Sequence, residues 1–268
     1  MLKEICLLLT TTLAVASYIA DLSTLQQPTN QSSELAQRVF DRYLTAVGGK
    51  KAYNEIITRE VKGTFQYDGM LQPMPGRFEQ QHGSGTIELY WKAPNKLFEV
   101  LRGPMGEIRR GYDGANAWGF HPQVGVRKIT PAEITEIIRE AALYQPIHLS
   151  QFYTEMAYEG KRRVDGPEVD IVSATTKEGR RERFYFDAVS SLPVRVDLWE
   201  EGSEDRRAGE YYLAQFYLGD YRVVDGIRIP FYIRRVRPHS TMIFVFTEVK
   251  QNGVLDETLF QPSKKMGM

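Results

Sequence analysis

Apolar positions recur along this chain in two rhythms, and the change from one to the other marks out its elements. Near the start the spacing is three to four: Leu35, Val39, Phe40, Tyr43 and Leu44 share one helical face. Ser32 or Ser33 is suited to cap this helix, and Gly48-Gly49 ends it as a left-handed C-cap would. A short second turn over 52–57 leads onward. The period then becomes two. Ile57, Arg59, Val61, Gly63, Phe65 and Tyr67 fall on one face of a strand, with Thr58, Glu60, Lys62, Thr64 and Gln66 on the other.

Further strands follow the same rhythm. Ile87, Leu89 and Trp91 alternate with polar neighbours, and Lys92-Ala93-Pro94-Asn95-Lys96 turns the chain into an apolar return strand through Leu97-Phe98. Asp113-Gly114 is a second turn, handing on to Trp118 and Phe120, and 122–125 is a third, leading into 126–129. The strand pattern stops at Thr130-Pro131-Ala132-Glu133: a cap residue, proline at the first helical position, and glutamate three residues after the threonine. Ile134, Ile137, Ile138, Ala141 and Ala142 form the apolar face of the helix it starts, and a second apolar segment covers 146–153. Strands resume at 169–174, 181–187, 192–198, 210–218, 221–224, 227–236 and 241–249, with Asp225-Gly226 as a hairpin turn. A closing turn over 255–262 tucks Phe260 inward. Roughly eleven or more antiparallel strands with two helical inserts predict a large, strongly curved α+β sheet whose concave face needs helical cover.

Composition narrows the function without naming one. Lysine plus arginine equal aspartate plus glutamate, so no bulk charge draws the chain to nucleic acid or an anionic surface. The basic clusters at 161–163 and 180–183 read as solvated strand ends. A short basic start and an apolar run over 5–20, with small residues at Ala14, Ala16 and Ala20, read as a signal peptide over 1–20; an uncleaved anchor is the alternative. A polar spacer (21–33), one domain (34–262) and a tail (263–268) follow. The single cysteine, Cys6, lies in the leader, so the mature domain has no disulfide framework.

Chemistry is sparse. His82, His121, His148 and His239 lie far apart, without zinc-ligand spacing. His82-Gly83-Ser84-Gly85 only touches the outline of a nucleophile elbow and reads as a glycine-rich turn between two strands. Glu200-Glu201 and Glu204-Asp205 fall in one charged, solvated loop over 200–207. No phosphate loop or dinucleotide fingerprint occurs. The expectation is therefore a protein that is not an enzyme, with no catalytic residues, metal or cofactor. A hydrolase with dispersed residues is the reading such a pattern leaves least visible. Strands apolar on both faces, Met242-Ile243-Phe244-Val245-Phe246 and Tyr211-Tyr212-Leu213, fit a sheet that is covered on both sides or lines a cavity.

Trp91-Lys92-Ala93-Pro94-Asn95-Lys96-Leu97-Phe98 and Asp113-Gly114-Ala115-Asn116-Ala117-Trp118, at this separation, resemble the LolA/LolB-like family of outer-membrane lipoprotein carriers. Phe260-Gln261-Pro262 is similar to that family's closing segment. The resemblance implies a periplasmic half-barrel of antiparallel strands with helices across an apolar concave face, where acyl chains of a lipid or lipoprotein bind. The candidate lipid-binding residues are Arg59, Phe65, Leu89, Trp91, Leu97, Trp118, Phe120, Ile134, Ile138 and Phe244, with Arg59 orienting a headgroup at the mouth. In the carriers an arginine directly before the Pro-Asn pair hydrogen-bonds the lid closed; here Ala93 stands there, so that latch is absent. The chain is also longer, with added strand material around 200–240. The same fold serves as an envelope sensor, and a protein partner in the same groove is the alternative to a lipid. The expected state is a monomer. A carrier predicts a dry, continuous apolar cavity; a partner module predicts a filled core with an exposed apolar patch.

Overall fold

The computed structural model describes residues 30–74, 77–127, 129–144, 147–148, 152–201 and 211–262. The expected leader, most of the spacer, the tail, and Glu204-Asp205 lie outside these residues.

Two helices come first, α1 (Asn30–Ala46) and α2 (Gly49–Asn54), then β1 (Thr58–Met74), β2 (Arg77–Lys92), β3 (Lys96–Gly103), β4 (Gly106–Tyr112), β5 (Ala117–His121) and β6 (Gly125–Arg127). Helix α3 (Pro131–Ala141) divides these from β7 (Tyr153–Arg163), β8 (Glu168–Thr176), β9 (Arg181–Asp187), β10 (Pro193–Glu201), β11 (Tyr211–Val224), β12 (Ile227–Arg237) and β13 (Ser240–Gln251). A single 3-10 turn, Glu257–Phe260, follows. All thirteen strands form one antiparallel sheet in the order β6-β5-β4-β3-β2-β1-β13-β12-β11-β10-β9-β8-β7. The chain thus builds one wing outward from β1, crosses the sheet through α3, and builds the second wing inward from β7 until β13 meets β1. That closing pair sets Phe65 opposite Phe244 and Tyr67 opposite Met242.

Sequence expectation and structure differ at several places along the strands. The segment His82-Gly83-Ser84-Gly85 is not a turn but lies within β2. Phe65 stands opposite Gly85, and a methyl group on that glycine would come within 2.9 Å of the Phe65 ring. The glycine therefore makes room for an aromatic ring inside the sheet. Glu200 and Glu201 belong to β10, paired with Tyr212 and Tyr211, and not to a loop. The two segments 210–218 and 221–224 are one strand, bent at Asp220, which has positive φ. Tyr153, expected in a helical segment, starts β7.

Apart from a small cluster of Val169, Ile171 and Tyr185 on the other face, the buried apolar clusters among the described residues lie on one face of the sheet. Following the strand register outward from Phe65, that face carries Leu89, Leu97 and Tyr112 in one direction and Phe244, Ile233, Phe216, Val196, Phe184 and Val172 in the other. The helices pack on residues of this same face. Ala36, Val39 and Phe40 of α1 bury against Val172 and Phe186, with Phe40 edge-on to both Phe184 and Phe186. Ile137 and Ala141 of α3 bury against Leu97 and Tyr112. The largest cluster lies between the two helices and joins Val47, Tyr53 and Ile56 to Val61, Phe65, Leu89, Ile229, Phe231 and Phe246. Gly48 joins α1 to α2 at φ 123°, its backbone so close to Gly226 that a Cβ would lie 2.4 Å from that carbonyl oxygen. Only glycine fits there. Asp225 and Gly226 both take positive φ, as a two-residue hairpin turn requires.

Candidate ligand-binding face

Helix α3 forms as its sequence predicts. Thr130 Oγ1 accepts from the Glu133 backbone N–H, and Glu133 accepts from the Thr130 N–H, a reciprocal capping box. Beside the apolar contacts of Ile137 and Ala141, polar links fasten the helix to the sheet over its last two turns. Arg139 pairs with Glu182 of β9 and donates to the Tyr153 hydroxyl at 2.6 Å, while Tyr153 donates to Glu182 at 2.7 Å. Glu182 is buried, its side chain only 4% exposed. On the opposite side, Glu140 accepts from Arg110 of β4 at 2.6 Å, and its carbonyl accepts from the Trp91 indole N–H at 2.9 Å. Arg180 pairs with Glu136. One helix is therefore fastened to β2 and β4 in the first wing and to β9 in the second. Arg180 is largely buried in this pairing and is not the solvated strand end its sequence implies.

Arg110 also grips Glu99 of β3 through two parallel bonds, from Nε at 2.9 Å and Nη2 at 2.8 Å. Burial raises the Glu99 pKa, yet the Arg110 charge and its hydrogen bonds prevail and hold the carboxyl below its ordinary range. Burial also raises the pKa of Tyr153, with the Glu182 charge adding to it, so its phenol stays protonated and donates to the carboxylate.

Arg59 stands on the helix-bearing face of β1, opposite Trp91 of β2 and Gln251 of β13. The residue is half-buried, with Nε and Nη2 fully enclosed and lacking any hydrogen-bond partner among the described residues. Burial lowers its pKa; Tyr53 and Tyr43 nearby work in the other direction. Gln251 donates to the Val224 carbonyl at 2.8 Å, while its Oε1 is buried with no partner among the described residues.

The other residues singled out from sequence divide between the two faces. Phe65 and Leu89 lie in the central cluster, with Trp91 and Phe244 packed against it. Leu97 is buried beneath α3; Ile134 is half-buried on that helix and Ile138 is exposed. Trp118 and Phe120 point to the opposite face. Trp118 sits over Gly111, stacks on Phe98 at 5.8 Å between ring centres, and donates from its indole to the Phe260 carbonyl at 2.8 Å. It pins down the C-terminal turn, whose Phe260 is buried as expected. Phe120 lies under the Arg109 guanidinium at 5.9 Å.

Sequence reading missed Glu99, Arg110, Arg139, Glu140, Tyr153 and Glu182. A signal existed for two of them. Glu99 shares strand parity with Leu97 and Leu101, and Glu182 with Phe184 and Phe186, so each is a charge set among inward apolar residues. Among the described residues no cluster of His, Cys, Asp and Glu is arranged to hold a metal ion. An open groove of about 560 Å³ lies on the surface between Asp41, Arg42 and Thr45 of α1 and Ser190, Ser191 and Arg228, apart from the helix-covered core. No described helix is long and apolar enough to cross a membrane.

No protein-family model matches the sequence, and no curated protein does. Solved structures do match the fold. A DUF1329 family protein from Desulfovibrio piger aligns at TM-score 0.53 and 13% identity, over 84% of this chain and 97% of that one. A LolA superfamily protein from Nitrosomonas europaea aligns at TM-score 0.53 and 10% identity, over 85% and 97%. The fold is LolA-like. A putative outer membrane lipoprotein-sorting protein domain from Vibrio parahaemolyticus agrees, at TM-score 0.50 and 10% identity, over 86% and 96%. In this LolA-like chain the Trp91–Phe98 segment is the β2–β3 hairpin, with a cis Ala93–Pro94 bond, and Asp113-Gly114 turns β4 into β5. With Ala93 unable to reach α3 by a side-chain hydrogen bond, arginines elsewhere make the attachment: Arg110 on β4 and Arg139 on α3 itself.

Proposed function

We propose that this is an exported, periplasmic, non-enzymatic binding protein that takes acyl chains of a lipid or lipoprotein between its sheet and a lid. The sheet is the half-barrel, its helix-bearing face is the concave one, and α3 is the part that opens. The observation that carries this reading is the separation of polar and apolar contacts around α3. Its attachment points are ion pairs and hydrogen bonds: Arg139 with Glu182, Arg110 with Glu140, and Trp91 with the Glu140 carbonyl. Beneath it lie Leu97 and Tyr112, against which its own Ile137 and Ala141 pack. Releasing a few polar links along the last two turns of such a lid would expose the apolar surface beneath it. An acyl chain would replace the lid's own contacts, each methylene contributing about 0.8 kcal/mol. Phe65, Leu89, Trp91, Leu97, Ile134 and Phe244 are the lining residues of this reading, with Ile138 on the rim. Trp118 and Phe120, on the other face, take no part.

A second reading, a sensory or partner-binding module, has one observation in its favour: the central cluster under the helices is tightly packed, with Val61, Ile87 and Ile227 each at most 3% exposed. Native mass spectrometry of the protein purified from periplasm without detergent, with organic extraction of what co-purifies, separates the two. A stoichiometric lipid or acyl species is the expected result. A clean apo mass that gains nothing on adding lipid overturns the carrier reading and turns the search to a protein partner.

A further inference from the structure

The arginines of this protein share a habit. Arg110 grips Glu99 by the side edge of its guanidinium, donating from Nε and Nη2 to the two carboxylate oxygens. Arg195 does the same to Asp197, at 2.7 and 2.8 Å, and Arg222 to Asp220, at 3.1 and 2.6 Å. This is the paired geometry that makes arginine selective for a planar oxyanion. Arg59 presents the same edge, Nε with Nη2, and that edge is buried with no acceptor against it among the described residues.

Its surroundings suit an anion. A buried donor without an acceptor destabilises the fold, and an apolar residue in its place would avoid that cost. Tyr43 of α1 and Tyr53 of α2 lie close enough to act on the Arg59 charge. Burial keeps both phenols protonated, so they bring hydroxyl donors to the same region. Gln251, directly opposite on β13, offers a buried carbonyl oxygen without a partner among the described residues. Next along the same face come Val61 and Leu89, the start of the central apolar cluster. Paired guanidinium donors thus adjoin a hydrocarbon surface.

We infer that Arg59 anchors the head of an anionic amphiphile, a carboxylate or phosphate held by Nε and Nη2, whose acyl chain runs along Val61 and Leu89 beneath the helices. This rests on the carrier reading and adds the class of ligand: anionic chains over neutral ones.

The test is calorimetric titration of the delipidated protein with four probes: dodecanoate, dodecyl phosphate, dodecanol and inorganic phosphate. The two charged chains are expected to bind roughly 10- to 100-fold more tightly than dodecanol. Arg59→Met should remove that preference and keep or raise the thermal midpoint, since an unpaired buried charge is gone. Arg59→Lys, which keeps the charge and loses the paired donors, should fall between. Equal binding of dodecanoate and dodecanol by the wild type overturns the inference and leaves the carrier reading standing. Inorganic phosphate binding as tightly as dodecyl phosphate overturns it in favour of a free-anion site. Binding of no chain by the wild type overturns both.

Discussion

Single residues inside this sheet are constrained by what sits across the strand, which no local pattern reports. Phe65 shows this. Its period-two position marks it as inward, but its ring rests over Gly85 and Gly103, and a Cβ at Gly85 would lie 1.9 Å from the Arg102 carbonyl oxygen. Gly83, two residues earlier in the same strand, has no neighbour nearer than 3.9 Å to such a Cβ. Gly85→Ala should therefore destabilise the protein by about 1–3 kcal/mol through overpacking, while Gly83→Ala changes stability by less than about 0.5 kcal/mol. Urea unfolding of the pair checks this, and equal effects would contradict it. The same limit explains Trp118. Its strand was legible from the Asp113-Gly114 turn, but which face it takes depends on a register counted across four neighbouring strands.

At the level of elements, α3 joins a legible half to an illegible one. Its start was written in Thr130-Pro131-Ala132-Glu133, and the apolar face in Ile134, Ile137 and Ala141, because capping and periodicity are local. Its attachment was not, because Arg139 and Glu182 are 43 residues apart. Removing Glu182 leaves Arg139 without its carboxylate in a site where its side chain is only 14% exposed. Glu182→Ala should cost about 3–5 kcal/mol, and adding Arg139→Met should recover most of that loss. A double-mutant cycle in urea measures the coupling; additive losses would show that the pair does not hold the helix. Thr130→Ala removes only the cap and should cost about 1 kcal/mol, read in the same unfolding curves.

For the molecule as a whole, acid is the condition that tests how its charges hold it together. The folded pKa of Glu99 lies below its unfolded value, about 4.3. The stability this pair confers is therefore complete above that value and is lost as pH falls through the lower, folded one. Unfolding midpoints measured between about pH 3 and 7 should fall at the acid end, and Glu99→Gln should be less stable at neutral pH but lose less on acidification. An identical acid limb in the variant would remove Arg110–Glu99 from the account. The pair ties β3 to β4, and Arg110 reaches on to Glu140 of α3, so the same protonation would bear on the attachment of α3 in the first wing.

Local chemistry sufficed for much of this protein. The Asp-Gly and Pro-Asn turns, the α3 capping box and the Gly48-Gly49 helix end all act within a few residues, and each appears where the chain predicted it. The LolA resemblance rested on two such hairpins. Tertiary structure alone decided the meeting of β1 with β13, the face occupied by Trp118, the burial of Arg180 against Glu136, and the open edge of Arg59. Each of these depends on groups far apart in the chain being brought to one place. A charge on an inward-parity strand position looks the same in sequence whether its partner stands opposite, as Glu99 has Arg110, or no described residue pairs with it, as for the inner edge of Arg59. Only the assembled sheet separates the two, because pairing requires distance and burial, and neither exists until the strands have closed.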